Sequence, residues 1–297
     1  MERLLIVGPG DIARRALPAL TARYETLALA RGHASLLASS VRTTTGDLDH
    51  PESLAALAGI ADIVLHLAPP NESGERDQRT RNLVAALSGG RMLPRRVVYI
   101  STSGVYGDCS GRRVDESQPV HPQTDRARRR VDAEQVLTEW ALPHNVALVI
   151  LRVPGIYAAD RLPLAQLQRG TPVLIAEDDV YTNHIHADDL AAVCVTALDG
   201  EARSGVYNAS DDTELKMGDY FDLVADRSGL PRPPRISRAE AERVIPPLTL
   251  SFMSESRRLV NSRIKRELGV RLSYPTVSDG VPVRVEQHRP LTAGAQG

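Results

Sequence analysis

The chain has 297 residues, of which 42% are hydrophobic and 25% charged, and its formal net charge is −1. This profile is typical of a folded globular protein that buries one large core or two unequal ones. A nearly neutral chain without a long apolar run gives no reason to expect a nucleic acid or a membrane as a partner. The two cysteines, Cys109 and Cys194, lack the spacing of metal ligands. They predict reduced thiols, no metal site and a cytoplasmic location.

The first 150 residues alternate short apolar runs with longer stretches of mixed polarity. The apolar runs predict strands at 4–7, 26–30, 62–68, 96–101 and 147–152. The stretches between them predict helices at 12–24, 51–58, 78–87 and 125–142. Runs that are apolar throughout are typical of parallel strands buried on both faces. The alternation therefore predicts an α/β fold with a Rossmann-type, doubly wound parallel sheet.

Beyond residue 154 the pattern becomes less regular, because proline and glycine occur at short intervals. We interpret residues 155–183 and 206–290 as a smaller C-terminal lobe. Residues 1–154 and 184–205 form the larger domain in this interpretation, and 291–297 are predicted to be a frayed tail.

A glycine-rich turn follows the first strand and opens the first helix. Gly8, Gly10 and Ala13 match the pattern G-x-G-x-x-[G/A]. Gly8 permits the tight turn, Gly10 lets the backbone approach a pyrophosphate, and Ala13 is small enough for helix–strand packing. The helix N-terminus, at Asp11 and Ile12, offers amide donors for the phosphates. At the start of an α/β pattern, this motif predicts a dinucleotide cofactor.

The end of the second strand indicates which dinucleotide is preferred. An acid at this place would accept a hydrogen bond from the ribose 2′-hydroxyl of NAD. The chain instead continues from Ala30 into Arg31, with no acid nearby. A guanidinium is always charged and its fork suits a 2′-phosphate, so we predict NADP in preference to NAD. The alternative is that Arg31, like Arg14 and Arg15 past the turn, is only solvated.

Several further segments carry a family resemblance through their order along the chain. They are GDL (46–48), HLA (66–68), STSGVYG (101–107), LRVPGIYAADR (151–161), NHIHADDLA (183–191), VYNASDD (206–212) and SRRLVNSRIKRELG (256–269). Together they resemble the extended short-chain dehydrogenase/reductases of the NAD-dependent epimerase/dehydratase family. The resemblance covers nearly the whole chain. It implies that the larger domain binds NAD(P) and that the smaller lobe binds a small-molecule substrate.

The resemblance also implies individual cofactor contacts. It places Asp47 opposite the adenine amino group and residues 66–68 along the ribose, and it places Ser101 near the nicotinamide. The further cofactor contacts that it implies are Leu48, Leu67, Ala68, Pro69, Arg130 and Pro154.

The catalytic positions depart from the family pattern. Thr102 matches the catalytic Ser/Thr, but Arg126 and Arg130 stand where the family has its Tyr-x-x-x-Lys pair. Arginine cannot carry the proton in place of tyrosine, because its pKa exceeds about 12. Arg130 could bind the ribose or supply a positive field, and Arg126 could face an anionic ligand. The departure resembles an atypical branch of these enzymes that keeps the nucleotide site without the tyrosine.

Two questions stay open from the sequence. The arginines could belong to a charged surface helix with the pairs Asp125–Arg129, Arg128–Asp132 and Arg130–Glu134. Tyr157 and His184 are reserve candidates for the proton donor, since the resemblance places both near the cleft, but each could instead be a core residue.

The resemblance implies an oxidoreductase or epimerase that acts on a sugar-like or nucleotide-sugar substrate with a non-standard active site. The alternative is a non-catalytic NADP(H)-binding sensor or scaffold. Family members often form homodimers through two long helices that build a four-helix bundle, and the helix at 125–142 would be one of the two.

Overall fold

The computed structural model describes residues 1–32 and 40–283. The strands in these residues are β1 (Arg3–Val7), β2 (Glu25–Ala30), β3 (Arg42–Thr45), β4 (Ile63–His66), β5 (Arg96–Thr102), β6 (Arg113–Val114), β7 (Ala147–Val153), β8 (Gly155–Tyr157), β9 (Val173–Leu174), β10 (Tyr181–Thr182), β11 (His184–His186), β12 (Gly205–Asn208), β13 (Leu215–Lys216), β14 (Arg235–Ile236) and β15 (Arg258–Leu259).

The α-helices in the same part of the chain are α1 (Asp11–Thr21), α2 (Gln78–Ser88), α3 (Asp125–Ala141), α4 (Leu164–Gln168), α5 (Ala187–Ala197), α6 (Met217–Ser228), α7 (Arg238–Val244), α8 (Pro247–Phe252), α9 (Ser262–Leu268) and α10 (Val277–Gly280). Short 3-10 helices span Pro51–Leu57, Ser103–Tyr106 and Ala159–Arg161. None of the helices in the described ranges is both long enough and apolar enough to cross a bilayer.

A seven-stranded sheet in the order β12-β7-β5-β4-β1-β2-β3 forms the centre of the protein. Every neighbouring pair is parallel. The chain builds outward from β1 to β3 and then returns to place β4 on the other side of β1. Ligands of open α/β sheets bind at such a reversal, at the carboxyl ends of the strands. The doubly wound parallel sheet predicted from the sequence is confirmed.

Helices cover both faces of this sheet. On one face, Leu17 of α1 and Leu190 of α5 share a core with the apolar side chains of β1 and β4. On the other face, Leu83 of α2 and Leu137 of α3 pack on the same strands. The strands β1 and β4 are rich in apolar residues because each of their faces is buried under a helical layer.

The sequence did not predict one edge strand of the sheet, and it placed the other in the smaller lobe. The edge strand β3 has the polar sequence RTTT and is largely exposed, so it lacks an apolar signal. The other edge strand, β12, pairs with β7. Residues 206–208 therefore lie in the main sheet, although our interpretation of the sequence assigned them to the smaller lobe.

The second lobe has its own small core. Tyr220, Phe221 and Val224 of α6 pack there against Val173 and Val277. Short two-stranded pairs, β8 with β11, β9 with β14 and β10 with β13, form its framework. The lobe lies beside the carboxyl ends of β5 and β7, because β8 directly follows β7 in the chain.

Candidate functional site

A cavity of about 400 Å³ opens at the carboxyl ends of β1, β2 and β4, next to the reversal of strand order. It is lined by Val7, Gly8, Pro9, Gly10, Leu29, Ala30, Arg31, Gly46, Asp47, Leu48, Leu67, Ala68, Pro69 and Arg79. The structure thus brings together most of the cofactor residues that were predicted from the sequence. We call this space the nucleotide cavity.

The glycine turn leaves room for a phosphate in the nucleotide cavity. Gly8 has a φ of 85°, and a Cβ atom there would lie 2.6 Å from the backbone nitrogen of Ala68. A Cβ at Gly10 would approach no described atom closer than the Gly8 carbonyl, at 4.0 Å. Gly10 also begins α1 without a side-chain cap, so the amides of the first helical turn remain available. These features fit the pyrophosphate of a dinucleotide.

Neither Asp11 nor Ile12, at the start of α1, lines the nucleotide cavity. The Ile12 side chain is buried in the core. The Asp11 carboxylate accepts hydrogen bonds from Arg161 at 2.8 Å and from Arg15 at 3.1 Å. Although burial opposes it, these bonds lower the pKa of Asp11. Arg15 also pairs with Asp188, so its charge is already neutralised within the protein.

Two arginines line the nucleotide cavity, and they differ in their partners. Arg79 forms a bidentate pair with Asp49, at 2.6 and 2.7 Å, and donates to the carbonyl of Pro69. Arg31 makes no hydrogen bond or ion pair with any residue in the described ranges, and it is exposed. Of the two cavity arginines, Arg31 is thus the one without a partner among the described residues.

Hydrogen bonds hold the turn at residues 47–49, on one wall of the nucleotide cavity. The Asp47 amide donates to Ser53 Oγ at 2.8 Å, and the Asp47 carboxylate accepts from the Asp49 amide at 3.0 Å. The Leu48 carbonyl accepts from Asn82 Nδ2 at 2.7 Å. These bonds fix the turn that places Asp47 and Leu48 at the cavity wall.

A second cavity, of about 360 Å³, lies where the carboxyl ends of β5 and β7 meet the smaller lobe. Its lining is formed by Thr102, Ser103, Gly104, Arg126, Pro154, Gly155, Tyr181, Thr182, Asn183, Met217, Ser251, Phe252, Glu255 and Arg257. We call this space the substrate cleft. Of the residues predicted from the sequence, Thr102, Arg126 and Pro154 lie in it.

Thr102 and Ser101 point in opposite directions, as consecutive residues of a strand do. Thr102 lines the substrate cleft, and its Oγ1 accepts a hydrogen bond from the Gly104 amide at 3.2 Å. Ser101 is buried and donates to Glu134 Oε1 at 2.5 Å. The structure therefore does not bring Ser101 to the wall of either cavity, and its hydroxyl already has a partner.

Arg126 and Arg130, which the resemblance aligns with the Tyr-x-x-x-Lys pair, have different surroundings. Arg126 lines the substrate cleft, with its guanidinium carbon 4.3 Å from the ring centroid of Phe252. Arg130 donates to the hydroxyl of Tyr99 at 3.0 Å and to the carbonyl of Ile100 at 2.8 Å. Arg130 lines neither cavity. Its position therefore supports a fixed positive charge beside β5 rather than a direct contact with a bound cofactor or substrate.

The pairs expected of a charged surface helix do not occur in the described part of the chain. Arg128 pairs with Asp125 instead, and Asp132 pairs with Arg81 of α2. Glu134 is buried and pairs with Arg152 of β7. Helix α3 therefore uses its charges to bind the neighbouring elements.

Tyr157 and His184 are core residues in the structure. The Tyr157 hydroxyl donates to the Thr276 carbonyl at 3.1 Å, and burial raises the pKa of Tyr157. The ring of His184 packs on Tyr220 at 4.2 Å between centroids, and burial lowers the pKa of His184 to about 3. Neither residue lines the substrate cleft. This geometry argues against our interpretation of both as reserve proton donors.

Buried Asp211 is expected to make stability depend on pH. It is 3% exposed, its Oδ2 has no partner in the described structure, and burial raises its pKa from 3.8 to about 7. The folded state thus holds the proton more tightly than the unfolded state between these values. The free energy of unfolding should fall by about 4 kcal/mol as the pH rises from about 4 to about 7.

Asp211→Asn should remove this contribution. Urea unfolding measures this at pH 5 and pH 8. The free energy of unfolding of Asp211→Asn, relative to that of the wild type, should be higher at pH 8 than at pH 5. Asp226→Asn, which alters an exposed carboxylate of α6, should give a difference that is the same at both pH values. Equal behaviour of the two variants would contradict the assignment.

Sequence reasoning missed two charged residues of the substrate cleft. Glu255 and Arg257 precede β15 and form an ion pair of 2.9 Å. The amides of Cys109 and Gly111 both donate to the Ser256 carbonyl, which attaches this segment to the loop after β5. Residues 255 and 257 project to the same side because the segment is extended. Arg257 donates to the Gly107 carbonyl and the Ser256 amide donates to Asp108, each about 150 residues earlier in the chain. No local pattern in the sequence therefore indicates that this segment reaches the cleft.

Comparison with known proteins agrees with this geometry. The model of the NAD dependent epimerase/dehydratase family matches residues 5–210, which is most of the chain. The chain belongs to this family. The matched region contains every residue that lines the nucleotide cavity, and it contains the lining of the substrate cleft except Met217, Ser251, Phe252, Glu255 and Arg257.

The matching relatives include enzymes and proteins of unknown function. A human dTDP-D-glucose 4,6-dehydratase is 25% identical over 146 residues, which cover 46% of this chain and 41% of the human protein. The match thus spans less than half of that relative. A protein of unknown function from Silicibacter pomeroyi DSS is 29% identical, with 95% and 97% of the two chains covered and a TM-score of 0.74.

A UDP-glucuronic acid 4-epimerase from Bacillus cereus shares the fold. Its structure, in complex with UDP-glucuronic acid and NAD, covers 94% of this chain and 96% of its own, with a TM-score of 0.75 and 19% identity.

Proposed function

We propose that the protein is an oxidoreductase or epimerase that uses NADP(H), in preference to NAD(H), on a sugar-like small molecule. The observation that carries this proposal is the pair of cavities at one edge of the sheet. The nucleotide cavity has an open glycine turn and Arg31, which has no partner among residues 1–32 and 40–283, and the substrate cleft has hydroxyl and charged groups. A dinucleotide bound across the carboxyl ends of the strands would connect the two.

The residues of the nucleotide cavity would hold the cofactor. The amides at the start of α1 would bind the pyrophosphate, Asp47 would accept from the adenine amino group, and Arg31 would bind the 2′-phosphate. When bound, the nicotinamide supplies a hydride donor or acceptor. Arg130 would add a positive charge beside β5 without touching the substrate.

The residues of the substrate cleft would orient the substrate and move its proton. Since Thr102 Oγ1 accepts a bond from Gly104, its own hydrogen is free to donate to a substrate oxygen. Glu255 Oε2 is held by Arg257, and within the described structure no hydrogen bond reaches Oε1. Glu255 would take the proton of a substrate hydroxyl while the carbon that bears it loses hydride.

Arg31→Ala is expected to weaken NADPH binding selectively. Loss of a hydrogen bond to a charged group costs about 1.5–3 kcal/mol, so Kd for NADPH should rise about tenfold to hundredfold. Kd for NADH should change little. Fluorescence titration of both cofactors measures this, and Arg14→Ala, on the exposed side of α1, is the matched control. Equal weakening of both cofactors by Arg31→Ala would refute the role in binding the 2′-phosphate.

A second candidate is a sensor or scaffold that binds NADP(H) without turnover. It is favoured by the arginine, Arg126, that the resemblance aligns with the family's tyrosine, and by the burial of Tyr157 and His184. Incubation with NADPH or NADP and a panel of nucleotide sugars and carbonyl compounds distinguishes the two. Turnover of any substrate supports the enzyme, and tight NADPH binding without turnover in either direction supports the sensor.

A further inference from the structure

Arg126 is a cation without a polar partner in the substrate cleft. Its guanidinium makes no hydrogen bond or ion pair with any residue of the described ranges, and it lies over the face of Phe252. Unpaired arginines are common on open surfaces. Arg126 is itself exposed, but it also lines a cavity beside Thr102, where a bound molecule would meet it.

The other arginines of this helix show that the unpaired state is particular to Arg126. Arg128 pairs with Asp125 at 2.6 Å, and Arg129 donates to the Gly74 carbonyl at 2.5 Å. Arg130 binds the hydroxyl of Tyr99. Each of these has a partner within the protein, whereas the guanidinium of Arg126 is directed to the cleft.

The charges of the substrate cleft do not balance. Arg257 and Glu255 form an ion pair of 2.9 Å and neutralise each other. Glu255 also attracts Arg126, but the two do not approach to the distance of an ion pair. Of the fixed charges that line the cleft, one positive charge on Arg126 therefore remains. A ligand with one negative charge would complete the balance.

The stacking on Phe252 prepares Arg126 for such a ligand. A guanidinium that lies on an aromatic face keeps the N–H groups of its planar edge free to donate. Those donors match two oxygens of a carboxylate or phosphate. Phe252 is 49% exposed at the end of α8, so a ligand can reach the stacked pair.

We propose that Arg126 binds an anionic group, carboxylate or phosphate, of the substrate within this cleft, close to the carbon that reacts. This inference rests on the proposed function, and it names the substrate class as sugar acids or sugar phosphates. Arg126 thus has a binding role at the position where related enzymes place a proton carrier.

Saturation-transfer NMR with glucuronate, glucose 6-phosphate and neutral glucose tests the proposal on the NADPH-saturated protein. At least one of the two anions should bind about tenfold or more tightly than glucose. Arg126→Gln should reduce the affinity for that anion to the affinity for glucose, and Arg126→Lys should keep part of the affinity for the anion. Arg128→Gln, on the same helix, should leave all three affinities unchanged. A comparison of glucuronate with glucose 6-phosphate shows whether Arg126 recognises a carboxylate or a phosphate.

The proposal is overturned if neither anion binds more tightly than glucose, or if Arg126→Gln leaves the preference unchanged. An NADPH titration of Arg126→Gln separates this result from a failure of the proposed function. Cofactor binding by the variant with loss of anion binding supports the inference. A wild-type protein that binds no NADPH refutes the proposed function, and the same NMR series on the cofactor-free protein then decides the role of Arg126.

Discussion

Glu255→Gln is expected to lower kcat by about 100-fold or more, while the affinity for NADPH stays within about twofold. General base catalysis contributes about 10²–10⁴ to rates, and an amide cannot accept the proton. Glu255 lines the substrate cleft, and within the described residues its Oε1 accepts no hydrogen bond. Glu255 is therefore our candidate for the base, and Tyr181, the phenol that lines the same cleft, is the alternative.

The matched control for this prediction is Tyr181→Phe, which keeps the ring that packs beneath Arg258. Initial rates with the best substrate of the turnover panel should fall less than about tenfold in this variant. If Tyr181→Phe loses activity and Glu255→Gln keeps it, the assignment of the base is wrong and the phenol carries the proton.

Glu134→Gln is expected to lower the free energy of unfolding by about 3–5 kcal/mol, because it leaves a buried charge without its partner. Glu134 accepts from Arg152 at 2.7 and 3.2 Å and from the hydroxyl of Ser101. The side chains of the ion pair are 8% and 9% exposed, so water cannot replace the missing carboxylate. Urea unfolding at pH 7 measures the change.

Asp125→Asn is the control for this prediction, because it removes an ion pair at the exposed start of the same helix. Its effect should be about 0–1 kcal/mol. If both variants lose similar stability, the pair formed by Glu134 and Arg152 does not stabilise the fold in the way its burial implies.

Most of the fold could be predicted from the sequence because its signals are local. The apolar runs at 4–7 and 147–152 are buried on both faces, and no alternative to parallel strands explains them as well. The edge strand β3 carried no such signal, since an exposed edge needs no apolar side chains. The strand β12 was assigned to the wrong lobe because pairing with β7 is a long-range property.

The nucleotide cavity was predictable for the same reason, and the substrate cleft was not. Gly8, Gly10 and Arg31 lie within one strand–turn–helix–strand unit, so their spacing is enough to place them together. Glu255 reaches the cleft through a segment that packs against a loop about 150 residues earlier. Arg79 reaches the nucleotide cavity from α2 by pairing with Asp49. Contacts of this kind depend on the tertiary fold alone.

Side-chain direction accounts for the predictions that the structure does not support. Ser101 and Thr102 are consecutive in β5, so only one of them can face the cleft, and the structure selects Thr102. Tyr157 ends β8 and is directed to the Thr276 carbonyl in the second lobe. A sequence position near a cleft thus does not determine which face of the strand meets the ligand.

A crystal structure with bound NADPH tests the central claim most directly, since the claim joins two cavities through one cofactor. The account predicts that the 2′-phosphate lies within about 3.2 Å of the Arg31 guanidinium. It also predicts that the pyrophosphate lies at the start of α1 and that the nicotinamide lies beside Thr102. A nucleotide bound away from the glycine turn, or a nicotinamide directed away from the substrate cleft, would contradict the account.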